Sequence, residues 1–131
     1  MKISRSTGYA FVAIGHIAEN KDANVVLSQD ISKIYDIPLE YLLKILQQLV
    51  KANILRSKRG PRGGFSLAKP ASKITMLDII EAVDGPLSNN SKLSDNIKGS
   101  KITGQVDKIF DKAAAQAESV FKRAKISTMI K

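Results

Sequence analysis

The feature that most constrains this chain is the run Lys58-Arg59-Gly60-Pro61-Arg62-Gly63-Gly64. It stands between two short mixed apolar and polar segments, Ile54-Leu55-Arg56-Ser57 and Phe65-Ser66-Leu67. Glycine and proline this dense end any regular element, and strand-like residues on both sides predict a β-hairpin. Its loop carries three cations on a backbone that can approach a partner closely. Two short strands cannot be stable alone, so the hairpin must lie against helices.

Helical periodicity precedes it. The first helix is expected from about Ser6 to Ala18, with Tyr9, Ala10, Val12, Ala13, Ile14 and Ile17 forming a broad apolar face. Polar turn residues follow from Asn20 to Asn24, and then Val25-Val26-Leu27 as a short strand. Ser28 is expected as the N-cap of a second helix, which has Asp30 in its first turn and ends near Tyr35. After Asp36-Ile37, Pro38 opens a third helix in the first-turn position that proline tolerates. Its buried stripe is Leu39, Leu42, Ile45, Leu46 and Leu49, while Glu40, Tyr41, Lys44, Gln47, Gln48 and Lys51 face outward and Asn53 caps it. Two helices joined so tightly, the second with a polar and basic face, predict a helix-turn-helix, and the hairpin after it is a wing.

Thr75, with Asp78 three residues on, starts a fourth helix in the manner of a capping box. Ile79, Ile80 and Val83 are its apolar positions, and Gly85-Pro86 stops it. The stretch from Leu87 to Gly104 is rich in Ser, Asn, Lys and Gly and is expected to be a flexible loop. A long helix is then expected over 105–125. In it Val106, Phe110, Ala113, Ala117, Val120 and Ala124 recur in alternating four- and three-residue steps beside Ile109 and Phe121. That stripe is coiled-coil-like and predicts a dimer interface. The fold class is mainly α with a small β-hairpin: a winged helix-turn-helix domain over 1–86, a loop over 87–104, and a dimerisation helix with a tail over 105–131.

Charge shows where such a fold would be used. The chain carries a net charge of +9, which favours polyanionic partners. Between Tyr41 and Leu77 lie Lys44, Lys51, Arg56, Lys58, Arg59, Arg62, Lys69 and Lys73, with no acidic residue. Signs alternate in the last helix, so the positive field is focused on the helix-turn-helix and wing. The chain has no cysteine and one histidine, His16. Disulfides, thiolate catalysis and cysteine-ligated metal or iron–sulfur sites are thereby excluded, and His16 reads as a structural or surface group. No nucleophile–base pair, cofactor loop or phosphate-cradling GxxxxGK[ST] run is present, so no enzyme and no cofactor is expected. No apolar run approaches a membrane span and no export signal is visible, so a cytoplasmic protein without a membrane partner is expected.

The string Arg59-Gly60-Pro61-Arg62-Gly63-Gly64-Phe65-Ser66-Leu67, followed by Ile79-Ile80-Glu81-Ala82-Val83-Asp84-Gly85-Pro86, resembles the Rrf-two family of bacterial transcriptional regulators. The similarity continues upstream through Gly8-Tyr9-Ala10 and Pro38-Leu39-Glu40-Tyr41-Leu42, and beyond Pro86 it is one of layout. The resemblance implies a homodimeric winged-helix regulator, most simply a repressor, on a roughly palindromic duplex operator. Its third helix would enter the major groove and its wing the minor groove. Arg59 matches the wing arginine, with Arg62 an extra cation. Glu40, Tyr41 and Lys44 fall where the recognition helix meets bases and phosphates, and Ser4, Arg5 and Ser6 where the first helix meets the backbone. Ser28, Pro38, Lys58 and Gly60 complete the implied set. Lys44 suits either a guanine edge or plain solvent, and Gln47 and Gln48 suit phosphate or solvent. Cluster-binding relatives carry three cysteines in the loop matching Leu87–Gly104, and this chain departs from that pattern. Its signal would then come from a regulatory protein docking on the loop or from a small-molecule effector.

Overall fold

A computed structural model describes residues 2–61, 63–87 and 92–131; Met1, Arg62 and residues 88–91 lie outside the described set. Helix α1 runs Arg5–Glu19, α2 Ser28–Tyr35 and α3 Leu39–Lys51. The hairpin follows as β1, Leu55–Lys58, and β2, Gly64–Leu67. A 3-10 turn, Ala71–Lys73, leads to α4, Met76–Asp84, then α5, Leu93–Asn96, α6, Lys101–Arg123, and α7, Ile126–Met129. The strands pair antiparallel in the register Leu55↔Leu67, Arg56↔Ser66, Ser57↔Phe65 and Lys58↔Gly64. This is a winged helix-turn-helix with a long C-terminal helix.

The core gathers one stripe from each helix of the first two-thirds. Ala10, Ala13, Ile14 and Ile17 of α1 pack with Ile31 of α2 and with Leu42, Ile45, Leu46 and Leu49 of α3. Leu55 and Phe65 bring the hairpin into the same cluster, and Ile79 brings α4. The broad face expected on α1 is split, because Val12 stays exposed beside Phe11 and Tyr35 in a separate apolar cleft.

Element ends follow local chemistry and depart from several expectations. Ser28 is not the N-cap of α2. Val26 exchanges both backbone hydrogen bonds with Phe65, each 2.8 Å, which holds the chain extended through Leu27; Leu27 takes the cap position and Ser28 is already helical. The expected strand at Val25–Leu27 is thus a single bridge that extends the wing. Pro38 is likewise the N-cap of α3 rather than its first helical residue, and its carbonyl accepts from Leu42 N–H at 2.9 Å. Asp36, with φ 54°, makes the sharp exit from α2. At the end of α3 the cap is Ala52, and Asn53 follows it with φ 64°. Ile54 N–H donates to Leu49 O and Asn53 N–H to Val50 O, both at 3.0 Å, a Schellman closure with asparagine in the left-handed position.

The capping box on α4 is present, with Asp78 N–H donating to Thr75 Oγ1 at 3.1 Å and Thr75 N–H to Asp78 Oδ2 at 3.0 Å. Beyond Gly85 the expected boundaries shift. Helix α6 begins at Lys101, with Gly104 inside it, and ends at Arg123 instead of near Lys125. A glycine inside a helix costs about 1 kcal/mol relative to alanine. Two features offset that cost: Thr103 is buried and donates to Ser100 O at 3.0 Å, and Asp107 takes three hydrogen bonds from the start of α5. The stretch expected as loop therefore holds α5 and the first turn of α6. Ala124 lies just past α6, and the tail turns back onto Ile74 and the start of α4. Met76 N–H donates to Ala124 O at 2.8 Å, Ile126 N–H donates to Ile74 O at 2.9 Å, and the Ile126 side chain is in the main core.

Candidate nucleic-acid interface

Three exposed elements carry the residues singled out from the sequence. The first is the N-terminus of α1, where Ser4 is the N-cap and accepts from Thr7 N–H at 3.1 Å. Arg5 is exposed beside it and enters neither of the two ion pairs found among the described residues. Ser6 is half-buried and shares a 2.6 Å hydrogen bond with Tyr41 Oη.

The second element is the outer face of α3. Glu40, Tyr41, Lys44, Gln47, Gln48 and Lys51 lie on one side of a helix whose other side is fully buried. Pro38 is exposed at its cap. Tyr41 is less free than its sequence position implies, because it bonds Ser6 and its ring meets Tyr9 edge-on at 5.6 Å between centroids. That pair fixes the start of α3 against the start of α1, so the two elements present one continuous surface. Ser28 is half-buried in the first turn of α2, the helix that braces α3 from behind.

The third element is the wing. Lys58, Arg59 and Gly60 are exposed at its tip, and Gly63 N–H closes the turn onto Gly60 O at 2.8 Å. Gly60 has φ +105°, which favours glycine, and a side chain on Gly63 would collide with the Lys58 carbonyl. The glycines are therefore required by the turn itself, and Arg59 stands exposed beside them. Arg62 lies outside the described residues.

The three elements combine exposed cations with a backbone suited to close approach, and Glu40 is the only acidic residue among those named. Such a surface neutralises phosphates and offers side chains to base edges. Sequence reasoning missed the groups that hold it in place. Asp84, at the end of α4, accepts from Ser4 Oγ at 2.8 and 3.0 Å and from Thr7 Oγ1 at 2.7 Å. The one available signal was an acid in the last turn of a helix, where the dipole disfavours it. His16, expected as a structural or surface group, has its Nδ1 2.9 Å from Tyr35 Oη between α1 and α2.

The proposed dimer stripe is uneven. Ile109 and Phe110 are 69% and 68% exposed, with Val120 and Ala113 also exposed, whereas Val106, Ala117, Phe121 and Ala124 are half-buried. The buried residues of α6 are Thr103 and Asp107. The Asp107 carboxyl is held below the usual carboxylate range chiefly by the Ser94 amide, then by the Ser94 hydroxyl, the Leu93 amide and the Lys92 charge, against an opposing effect of burial. No helix among the described residues is long and apolar enough to cross a membrane.

A family model described as Rrf2, iron-dependent transcriptional regulator, matches residues 3–131. A putative HTH-type transcriptional regulator of Aquifex aeolicus is 43% identical over 81 residues, which is 62% of this chain and 56% of that one. The HTH-type transcriptional regulator IscR of Cereibacter sphaeroides is 30% identical over 136 residues, covering 100% of this chain and 88% of its own. Against several of these relatives, the match spans only about half of their length. The structure of CymR, described as the global cysteine regulator of B. subtilis, superposes with a TM-score of 0.81 at 21% identity over 99% of this chain and 96% of that one. IscR of T. potens gives 0.75 at 23% identity over 99% and 86%. The family description raises iron, and the donor set does not fit it. Cysteine is absent, the lone histidine is bonded to a tyrosine, Asp107 is occupied by α5, and no cluster of three metal-ligating side chains exists among the described residues.

Proposed function

Because the chain belongs to the Rrf2 family of transcriptional regulators, and is a DNA-binding regulator and not an enzyme, we propose that it is a cytoplasmic repressor. In this reading it binds a roughly palindromic operator as a homodimer and senses its signal without an iron–sulfur cluster. The observation that supports operator binding is the joined surface of α1 and α3, locked at Ser6–Tyr41, beside a wing tip that projects Lys58 and Arg59. Lys44 and Tyr41 face bases and phosphates in the major groove, Arg59 enters the minor groove, and Ser4, Arg5 and Ser6 meet the sugar–phosphate backbone. The exposed apolar face of α6, centred on Ile109 and Phe110, supports the homodimer. Two copies joined there present two recognition helices to successive major grooves about 34 Å apart.

The test is the affinity of the protein for duplex DNA from its own promoter, measured against a shuffled duplex over a range of salt. A preference of roughly 10³-fold or more at physiological salt is expected, on a steep salt dependence from phosphate neutralisation. Equal, weak binding to both duplexes would overturn operator recognition at that promoter.

A further inference from the structure

Asp84 is the last residue of α4, where its carboxylate faces the negative end of its own helix dipole. The compensation comes from another element. Ser4 Oγ donates to both carboxylate oxygens at 2.8 and 3.0 Å, and the fully buried Thr7 donates through Oγ1 at 2.7 Å. The carboxylate thus sits against the positive end of α1. The Ser4 hydroxyl is used twice, because it also accepts from Thr7 N–H as the N-cap. Two residues on, Ser6 bonds Tyr41, and one turn on, Tyr9 packs edge-on against the same ring. The first turns of α1 therefore hold the exit of α4 on one side and the start of α3 on the other.

Directly after Asp84 the helix ends at Gly85. Gly85 has φ +85°, and Pro86 and Leu87 lead towards α5 and α6. A cavity of about 220 Å³ lies against the carboxylate, bounded by Lys2, Ile80, Asp84, Pro86 and, from α6, Phe121. The chain at 85–87 and the Phe121 ring thus border open space beside the group that anchors α1.

We propose that Gly85 is a hinge and that Asp84 is a positioning residue coupling it to the DNA-contact surface. A change in the segment after α4, or in the seat of α6, passes through Asp84 to Ser4 and Thr7, and through the first turns of α1 to Ser6 and Tyr41. The proposal rests on the DNA-binding reading for its purpose, though not for its mechanics.

The test uses amide NMR of the full chain without DNA. In Gly85→Ala the added Cβ meets open space, so the perturbation enters through the strained backbone alone. Gly85→Ala is expected to shift the amide resonances of Ser6, Tyr9 and Tyr41. Placed on Asp84→Asn, the same substitution should leave those three nearly unmoved, because the relay is already cut. Equal shifts with and without Asp84, or no shift at all, would overturn the proposal. If Asp84→Asn does not fold, Thr7→Val removes a donor instead and carries the same expectation. In parallel, Gly85→Ala and Asp84→Asn should each weaken operator binding by about tenfold, and the pair no more than Asp84→Asn alone. A wild-type protein with no operator preference would defeat the DNA-binding reading, while the amide shifts would still decide the relay.

Discussion

Helices α3 and α6 are both amphipathic, and they meet opposite fates. In α3 the whole apolar stripe from Leu42 to Leu49 is buried within its own chain. In α6 two large apolar residues, Ile109 and Phe110, stay more than two-thirds exposed, and the buried positions are a threonine and an aspartate. An apolar stripe states that a face must be covered; it does not say by what. For α3 the cover comes from neighbouring helices of the same chain, and for α6 we propose a second copy.

The contrast can be broken directly. Leu46 is fully buried, so Leu46→Ala should cost about 3 kcal/mol of unfolding free energy in urea. Phe110→Asp should barely change the fold of a single chain, while sedimentation should show dimer converting to monomer. If Phe110→Asp leaves the oligomeric state untouched, the α6 face has some other cover.

The next effect falls on DNA and not on the fold. Arg59 is exposed on a tip shaped by its glycines, so Arg59→Ala should weaken operator binding by roughly 1–3 kcal/mol with thermal stability unchanged. Unaltered affinity in a filter or anisotropy titration would remove the wing from recognition. On the stability side, Thr75→Ala breaks the capping box of α4 and should cost about 1 kcal/mol. A cost near zero would mean that the tail, bonded to Met76, holds that helix end by itself.

The smallest effect concerns the seat of α5. Asp107 accepts from Leu93 N–H, Ser94 N–H and Ser94 Oγ, and its pKa is lowered in the folded state. Its contribution is therefore complete above the ordinary carboxylate value, about 3.9, and is lost as pH falls through the lowered one. Hydrogen-exchange protection at Leu93 and Ser94, relative to the intrinsic rate, should be high at neutral pH and fall only in acid, whereas Asp107→Asn should lower it at neutral pH. Protection at neutral pH that survives Asp107→Asn would show α5 to be held by packing alone.

Much of this molecule is legible in its sequence because the signals are local. The wing is readable from Gly60, Gly63 and their neighbours, since the turn's own geometry requires them, and the capping box of α4 from two residues three apart. The α3 stripe is readable because helical periodicity and burial coincide there. Ser28 misleads as a cap because its role depends on Val26 pairing with Phe65, some forty residues away. Of the candidate contact residues, exposure alone is foreseeable; that Ser6 and Tyr41 are bonded to each other is not.

The sequence by itself determined the types of the main elements, the basic face and the exclusion of cysteine chemistry, because propensity, charge and composition act within a few residues of the chain. Only the tertiary structure decided that Asp84 ties α4 to α1, that Asp107 seats α5, and that Ile126 returns to the main core. The first two join residues between thirteen and eighty positions apart, and Ile126 packs in one cluster with residues as distant as Ala10. Hydrogen bonds and packing at such separations depend on where the whole chain has brought its parts, which no local pattern encodes.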